Sequence, residues 1–231
     1  MMLLSRYGLR EWMTITVFAA LAAGGAIVLL RWYWLALVVG IVWLGLVAFF
    51  RHPLRRVLRN LPQGTMLSPA DGVISAIERV PSHKATNGHP AIIIRIFLSV
   101  LNVHINRWPY DGEVIDITYK PGRFLNAQTS ESARVNESNL VSAKLSIDGT
   151  LREHFGVRQV SGMIARRIVC DAEVGDTFTR GDVFGMIKFG STTELILPRP
   201  DDVEVCVQPE QKVRAGLTVL AVLKPPTSSD Q

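Results

Sequence analysis

The sequence predicts a mainly β fold: one antiparallel sandwich or barrel-like domain with minor helix, set behind a hairpin of two apolar helices. Three observations carry this. Residues 14–30 and 32–50 are apolar and uncharged, with only Arg31 between them. After Pro62, short runs rich in Val and Ile replace that pattern. Turn pairs punctuate those runs at Asp71-Gly72, Asp111-Gly112, Pro121-Gly122 and Asp148-Gly149.

The apolar region comes first. A single helix over residues 14–50 would be about 55 Å long at about 1.5 Å per residue, whereas a hydrocarbon core is about 30 Å thick. The run is therefore expected to fold back as two short spans. Arg31, Trp32, Tyr33 and Trp34 suit the turn, because aromatic rings and a snorkelling arginine favour the membrane interface. No small-residue cleavage site precedes a polar start, so a cleaved leader is not expected. Arg6 and Arg10 lie before the first span, and Arg51, Arg55, Arg56 and Arg59 after the second. The positive-inside rule puts both ends on the cytoplasmic side of the cell membrane. On a helix Arg51, Arg55 and Arg59 would share one face, suited either to lipid phosphates or to topology alone.

The remaining elements are short apolar runs broken by turn residues. Runs at 72–80, 91–98, 113–119, 139–147, 157–170, 183–189, 193–197, 203–207 and 217–223 are β-branched and short, which favours strands over helices. Residues 122–138 are polar and irregular and read as a loop with at most a helical turn. The last residues, PPTSSDQ, read as a frayed tail.

Composition bounds the function. The chain has 231 residues, 25 basic and 20 acidic, for a net charge of +5. That excess is too mild for a nucleic-acid binder. The two cysteines, Cys170 and Cys206, match no zinc or CxxC spacing and are expected to be small buried hydrophobes. No cluster has metal-ligand spacing, so no metal is expected. The Gly-Asp rhythm of residues 174–185 also occurs in carrier domains that bear a modified lysine at a hairpin tip, but Lys188 lies too close to an apolar run for that.

Four segments are more specific. They are Ser68-Pro69-Ala70-Asp71-Gly72; Phe97-Leu98-Ser99 with Asn102-Val103-His104-Ile105-Asn106-Arg107 and Pro109; Gly162-Met163-Ile164-Ala165-Arg166-Arg167-Ile168-Val169-Cys170; and Arg180-Gly181 through Phe184-Gly185-Met186-Ile187-Lys188-Phe189-Gly190-Ser191. In order and spacing they resemble the short, prokaryotic-type phosphatidylserine decarboxylases.

The resemblance implies a pyruvoyl-dependent enzyme that matures by cutting itself. Ser191 would attack the carbonyl of Gly190, and elimination and hydrolysis would leave a pyruvoyl group at position 191. The products would be chains 1–190 and 191–231, held together as a heterodimer, with a higher oligomer left open. It implies His104 as base and Asp71 as the carboxylate that orients it. Some longer relatives carry a second histidine where this chain has Arg107, so Arg107 becomes a candidate for substrate phosphate or carboxylate. Asn136 stands in a loop that usually reads Asn-Glu-Arg and here reads Asn136-Glu137-Ser138. It is the other candidate for substrate binding. The pyruvoyl carbonyl would form a Schiff base with the amine of phosphatidylserine and drain electrons from the breaking bond to CO2, releasing phosphatidylethanolamine. The expected organisation is an anchor over residues 1–60, a catalytic domain over 61–225 and a tail over 226–231. Two other readings stay open: the same chemistry on another serine phospholipid, and a non-catalytic membrane-tethered β domain. His52, His83, His89 and His154, expected in loops or membrane flanks, are assigned no chemistry.

Overall fold

A computed structural model describes residues 2–57, 60–127, 129, 131–147, 151–163, 167–188 and 190–224. In chain order its elements are β1 (Met2–Leu4), α1 (Leu9–Val28), α2 (Tyr33–Ala48), β2 (Arg51–Pro53), β3 (Thr65–Leu67), β4 (Gly72–Val80), β5 (Ala91–Leu98), β6 (Ile105–Arg107), β7 (Gly112–Lys120) and α3 (Ser132–Val135). There follow β8 (Ser138–Ile147), β9 (Leu151–Ser161), β10 (Ile168–Cys170), β11 (Thr177–Phe178), β12 (Val183–Ile187), β13 (Ser191–Pro198), β14 (Val203–Val205), β15 (Lys212–Val213) and β16 (Val219–Leu223). They form two units, Met1–Leu54 and Arg55–Gln231.

The first unit is a helix pair. The chain reverses at Arg31, whose φ of 53° is left-handed, and the rings of Trp32 and Trp34 stack at 6.1 Å. Between the helices the Trp43 indole donates to Thr16 Oγ1 at 3.0 Å. Strands β1 and β2 pair antiparallel and close the open end. Apolar side chains point outward along both helices, among them Phe18, Leu21, Leu37 and Ile41. The stretch Arg6–Val28 is long and apolar enough to cross a bilayer, whereas Tyr33–Ala48 is shorter.

Arg51 and Arg55 do not share a helical face. Arg51 opens strand β2, Arg55 follows in irregular chain, and Arg59 lies outside the described residues. Pairing with β1 holds Arg51 extended, and a buried ion pair holds Arg55.

The second unit is a curled antiparallel sheet, a half-barrel. Its eight strands run in the order β11-β7-β8-β9-β13-β5-β4-β15. Bulges between Ile74 and Ala76 and between Val114 and Asp116 add local twist to the bulged strands and help to curl it. Two three-stranded sheets, β10-β12-β6 and β14-β16-β3, complete the unit. The main core includes Ile94, Ile96, Leu98, Val157, Leu195 and Leu197 of the large sheet together with Trp108 and Phe184. Trp108 is fully buried. Its ring meets Phe155 of β9, Phe178 of β11 and Phe184 of β12 at 5.6, 5.0 and 5.3 Å, so one side chain ties the small sheet to the large one.

The run 157–170 is not one strand. Strand β9 begins earlier, at Leu151, and ends at Ser161; β10 starts at Ile168. The ladder stops where Gly162 passes the Gly190 carbonyl, against which any Cβ would clash. Residues 164–166, the Asp148-Gly149 turn and the tail 226–231 lie outside the described residues. The short strands β3, β6, β11 and β15 carried no sequence signal, because two or three residues show no period. His154 lies in strand β9 rather than in a loop, and His52 lies in β2, in the flank of the helix pair. Cys170 is half-buried but Cys206 is exposed, and both are free. Val203 and Val207 face inward, so the strand alternation turns Cys206 outward.

On the other face of the large sheet, Ile196 packs with Ala85, Ala91, Ile93 and Leu140. A short 3-10 turn, Lys84–Thr86, covers it, capped by His83 Nδ1, which accepts from the Ala85 amide. Burial pushes the His83 pKa below its ordinary 6.5; Glu194 opposes and Arg158 assists. Protonation at Nδ1 would break the cap. The folded chain therefore resists a proton that the unfolded chain takes up from about pH 6.5 downward. The thermal midpoint of the unit should fall between pH 7 and 5, and His83→Asn, which keeps a capping oxygen, should flatten that slope.

Candidate functional site

The site is built around the start of β13. Ser191 pairs with Leu98 of β5 and with Ser161 of β9, so this residue is laddered on both sides. Ser191, Thr193, Leu195 and Leu197 share one face of the strand, and Leu195 and Leu197 enter the main core. Ser191 is fully buried, and its Oγ finds no hydrogen-bond partner among the described residues. A buried hydroxyl without a partner costs about 1–3 kcal/mol. Natural proteins tolerate such an atom mainly where it has work to do.

Gly190 precedes it with φ of 61°. This left-handed turn suits glycine because an L side chain would strain there. The constraint is torsional, since nothing crowds the position of a Cβ. At Gly162 it is spatial, because the Gly190 carbonyl oxygen occupies the place of a Cβ.

His104 reaches this peptide from the opposite sheet. It lies just before β6, which pairs with β12, and the Ile187 amide donates to the His104 carbonyl. Its ring is fully buried. Nδ1 lies 3.0 Å from the Asn102 carbonyl oxygen. A carbonyl only accepts, so Nδ1 carries the proton. The Gly190 amide donates to Nε2 at 3.3 Å. The imidazole is thus the neutral Nδ1–H tautomer, with its Nε2 lone pair on the Gly190 amide. Asn102, quoted in the motif but given no role from sequence, is the orienting group. Its own side chain accepts from the Ser99 amide and hydroxyl at 2.9 and 2.8 Å, which holds the turn that presents its carbonyl.

Asp71 is placed elsewhere. Its carboxylate takes both Nη groups of Arg55 at 2.6 Å and the Ala215 amide at 2.7 Å. The structure therefore brings His104 to the Gly190 amide, one residue before Ser191, and gives Asp71 to Arg55. Arg107 stands on the same side. It is buried and donates to the Gly181 carbonyl at 2.8 Å. Burial, then the charge of Arg55, pulls its pKa down, while Asp71 and Asp182 pull it up. Asn136 is spent on the backbone. Its amide donates to the carbonyls of Leu125 and Ser161 at 2.9 and 2.8 Å and accepts from the Leu125 amide at 2.9 Å. It clamps the 123–136 loop to the end of β9. Phe189 and residues 164–166 of the motifs lie outside the described residues.

A cleft of about 280 Å³ opens beside Gly190, lined by Phe97, Ser99, Val100, Ala127 and Met163 among others. Neither Arg107 nor Asn136 is among the residues lining it.

A second set of charges holds β13 in place. Glu194 is nearly fully buried and lies opposite Arg95 of β5 and Arg158 of β9. It pairs with them at 2.8 and 3.2 Å. Sequence reasoning missed this cluster, as it missed Arg55, because each residue is ordinary in its own segment. Cross-strand pairing makes the first, and a contact over 16 residues makes the second.

Removing one partner of a buried ion pair strands the other charge. Arg55→Met should lower the unfolding free energy of the second unit by about 3–5 kcal/mol. Arg55→Met with Asp71→Leu should lose less than the single change. Denaturant titration of the three proteins measures both values.

Residues 45–221 match the family model described as phosphatidylserine decarboxylase. The chain is 43% identical over 218 residues to the phosphatidylserine decarboxylase proenzyme of Rhodopirellula baltica, covering 94% of this chain and 86% of that relative. It is 41% identical over 192 residues to the proenzyme of Carboxydothermus hydrogenoformans, covering 83% of this chain and 86% of that relative. It is 39% identical to the proenzyme of Gluconacetobacter diazotrophicus over 207 residues, 89% of this chain and 88% of that relative. Together with the Gly190-Ser191 peptide at the mouth of β13, these matches place the chain in the phosphatidylserine decarboxylase family.

Proposed function

We propose that this chain is a proenzyme that severs its own Gly190-Ser191 bond and then decarboxylates phosphatidylserine to phosphatidylethanolamine. One observation carries the reading: Nε2 of His104 accepts from the Gly190 amide, one residue from a serine hydroxyl that is buried without a partner among the described residues. Nε2 takes the Ser191 hydroxyl proton, and Oγ attacks the Gly190 carbonyl carbon. The peptide C–N bond breaks and an ester forms, with the Ser191 amine set free. Loss of the Ser191 Cα proton and cleavage of the Cβ–O bond release the Gly190 carboxylate and leave dehydroalanine at 191. Addition of water and departure of ammonia give the pyruvoyl group.

The residues present fit such a group. It would occupy the start of β13, where the two ladders and the Glu194 ion pairs fix its position. When formed, it supplies a carbonyl that condenses with the substrate amine and withdraws electrons from the bond to CO2. The cleft beside Gly190 admits the serine head group. His104 returns the proton to the substrate carbon. Asp71, with Arg55, Arg107 and Asn136, supports the site from behind without touching substrate.

The 191–231 chain would remain bound after cleavage. Its strand β13 lies between β5 and β9, β15 pairs with β4, and β16 pairs with β3. We further propose that residues 1–60 form the anchor, with the helix pair in the cell membrane and the 61–225 catalytic domain on the cytoplasmic face. The apolar outer surface of both helices and the basic residues at their ends support this.

Intact mass should give two chains, the smaller spanning 191–231 with pyruvate in place of its first serine. Ser191→Ala should stay as one chain and be inactive. His104→Ala should slow cleavage by about 10²–10⁴-fold, the usual worth of a general base. A protein that decarboxylates the lipid while residue 191 remains serine would refute the mechanism.

A further inference from the structure

The cleft beside Gly190 has an apolar rim that the cleavage chemistry does not use. Leu101 is 84% exposed, Met163 62% and Val100 43%. Val100 and Leu101 occupy the tip of the 99–102 turn. That turn is tied at its base, where the Asn102 amide donates to the Ser99 carbonyl at 2.9 Å and the Asn102 side chain binds Ser99 in return. The bonds that hold the base rigid push both aliphatic side chains into solvent. Across the cleft, Met163 lies beyond the end of β9. Phe124, partly exposed, lies two residues before Asn126 of the same cleft. Arg123 and Arg167 are exposed in the same segments.

Turn tips are ordinarily polar, because an exposed aliphatic side chain gains nothing from water. Here Val100 and Met163 line a cleft that borders Gly190, and Leu101 follows Val100 at the turn tip. We propose that the 99–102 turn and Met163 form a lipid-dipping rim, inserting Leu101, Val100 and Met163 into the surface of an anionic phospholipid bilayer. The inference rests on the decarboxylase reading, which supplies its occupant. A substrate held in the bilayer by two acyl chains exposes only its head group. That head group reaches residue 191 only if the cleft mouth meets the membrane surface. The rim has the make-up of such a contact: apolar side chains at the tip and arginines beside them for lipid phosphates. The same turn offers the Asn102 carbonyl to His104 on its inner side, so one short segment serves both lipid and base.

The test uses the full chain and two forms of substrate: phosphatidylserine in mixed phosphatidylcholine vesicles, and a short-chain phosphatidylserine kept monomeric in solution. Leu101→Asp should lose about tenfold in kcat/KM on vesicles, the scale set by keeping one leucine side chain in water. It should keep its self-cleavage and its activity on the soluble substrate, and Leu101→Phe should keep both activities. Equal loss on both substrates, or loss on neither, overturns the rim. A second measurement needs no turnover. A polarity-sensitive dye on Leu101→Cys in a Cys206→Ser background, compared with that background alone, should shift to the blue on vesicles and be quenched by brominated lipid. An unshifted dye overturns the rim even in an active enzyme. A shifted dye in a protein that decarboxylates neither substrate supports the rim and refutes the decarboxylase reading instead.

Discussion

Strand β13 is hydrogen-bonded on both sides from its first residue, and the rest of the site depends on that constraint. Ser191 lies between Leu98 and Ser161, while Gly190 just before it has already turned into the left-handed region. The peptide between them is therefore where a rigid ladder meets a free turn. The Gly190 carbonyl at this junction leaves room only for glycine at position 162.

Holding that junction against the imidazole of His104 takes two sheets. The large sheet carries Ser191 and the small sheet carries His104, and Trp108 with its three phenylalanines joins them. The Glu194 pairs with Arg95 and Arg158 act across β13 rather than along it. In water such ion pairs are worth little. At a strand that is nearly fully buried they keep neighbouring strands in register, and lateral bonding of this kind survives a break in the chain at the strand's end.

The hydrogen-bond partners of His104 and Asp71 differ from those of a simple serine, histidine and aspartate arrangement. The imidazole is oriented by a backbone carbonyl, that of Asn102, and the aspartate by a guanidinium, that of Arg55. A carbonyl fixes the tautomer as firmly as a carboxylate does but adds no negative charge. The Arg55-Asp71 pair instead ties the start of the second unit to the 214–218 segment through Ala215.

Much of this was legible in the chain. The helix pair and its turn at Arg31 followed from charge spacing, and the long strands β4, β5, β7, β8 and β13 followed from run length, β-branched content and turn residues, because both signals are local. Ser191, Gly190 and His104 were singled out only by four segments resembling one family as a set, since a Gly-Ser pair alone is an ordinary turn. The break between β9 and β10 was hidden because its cause, the carbonyl of Gly190, lies 28 residues away. The partners of Asp71, the backbone duty of Asn136 and the exposure of Leu101 were likewise beyond reach. By itself the sequence determined which residues are chemically equipped and which segments are strands. Only the tertiary structure decided which of those residues meet, since hydrogen bonds and ion pairs act over a few ångströms and the sequence distance between their partners carries no information about that gap.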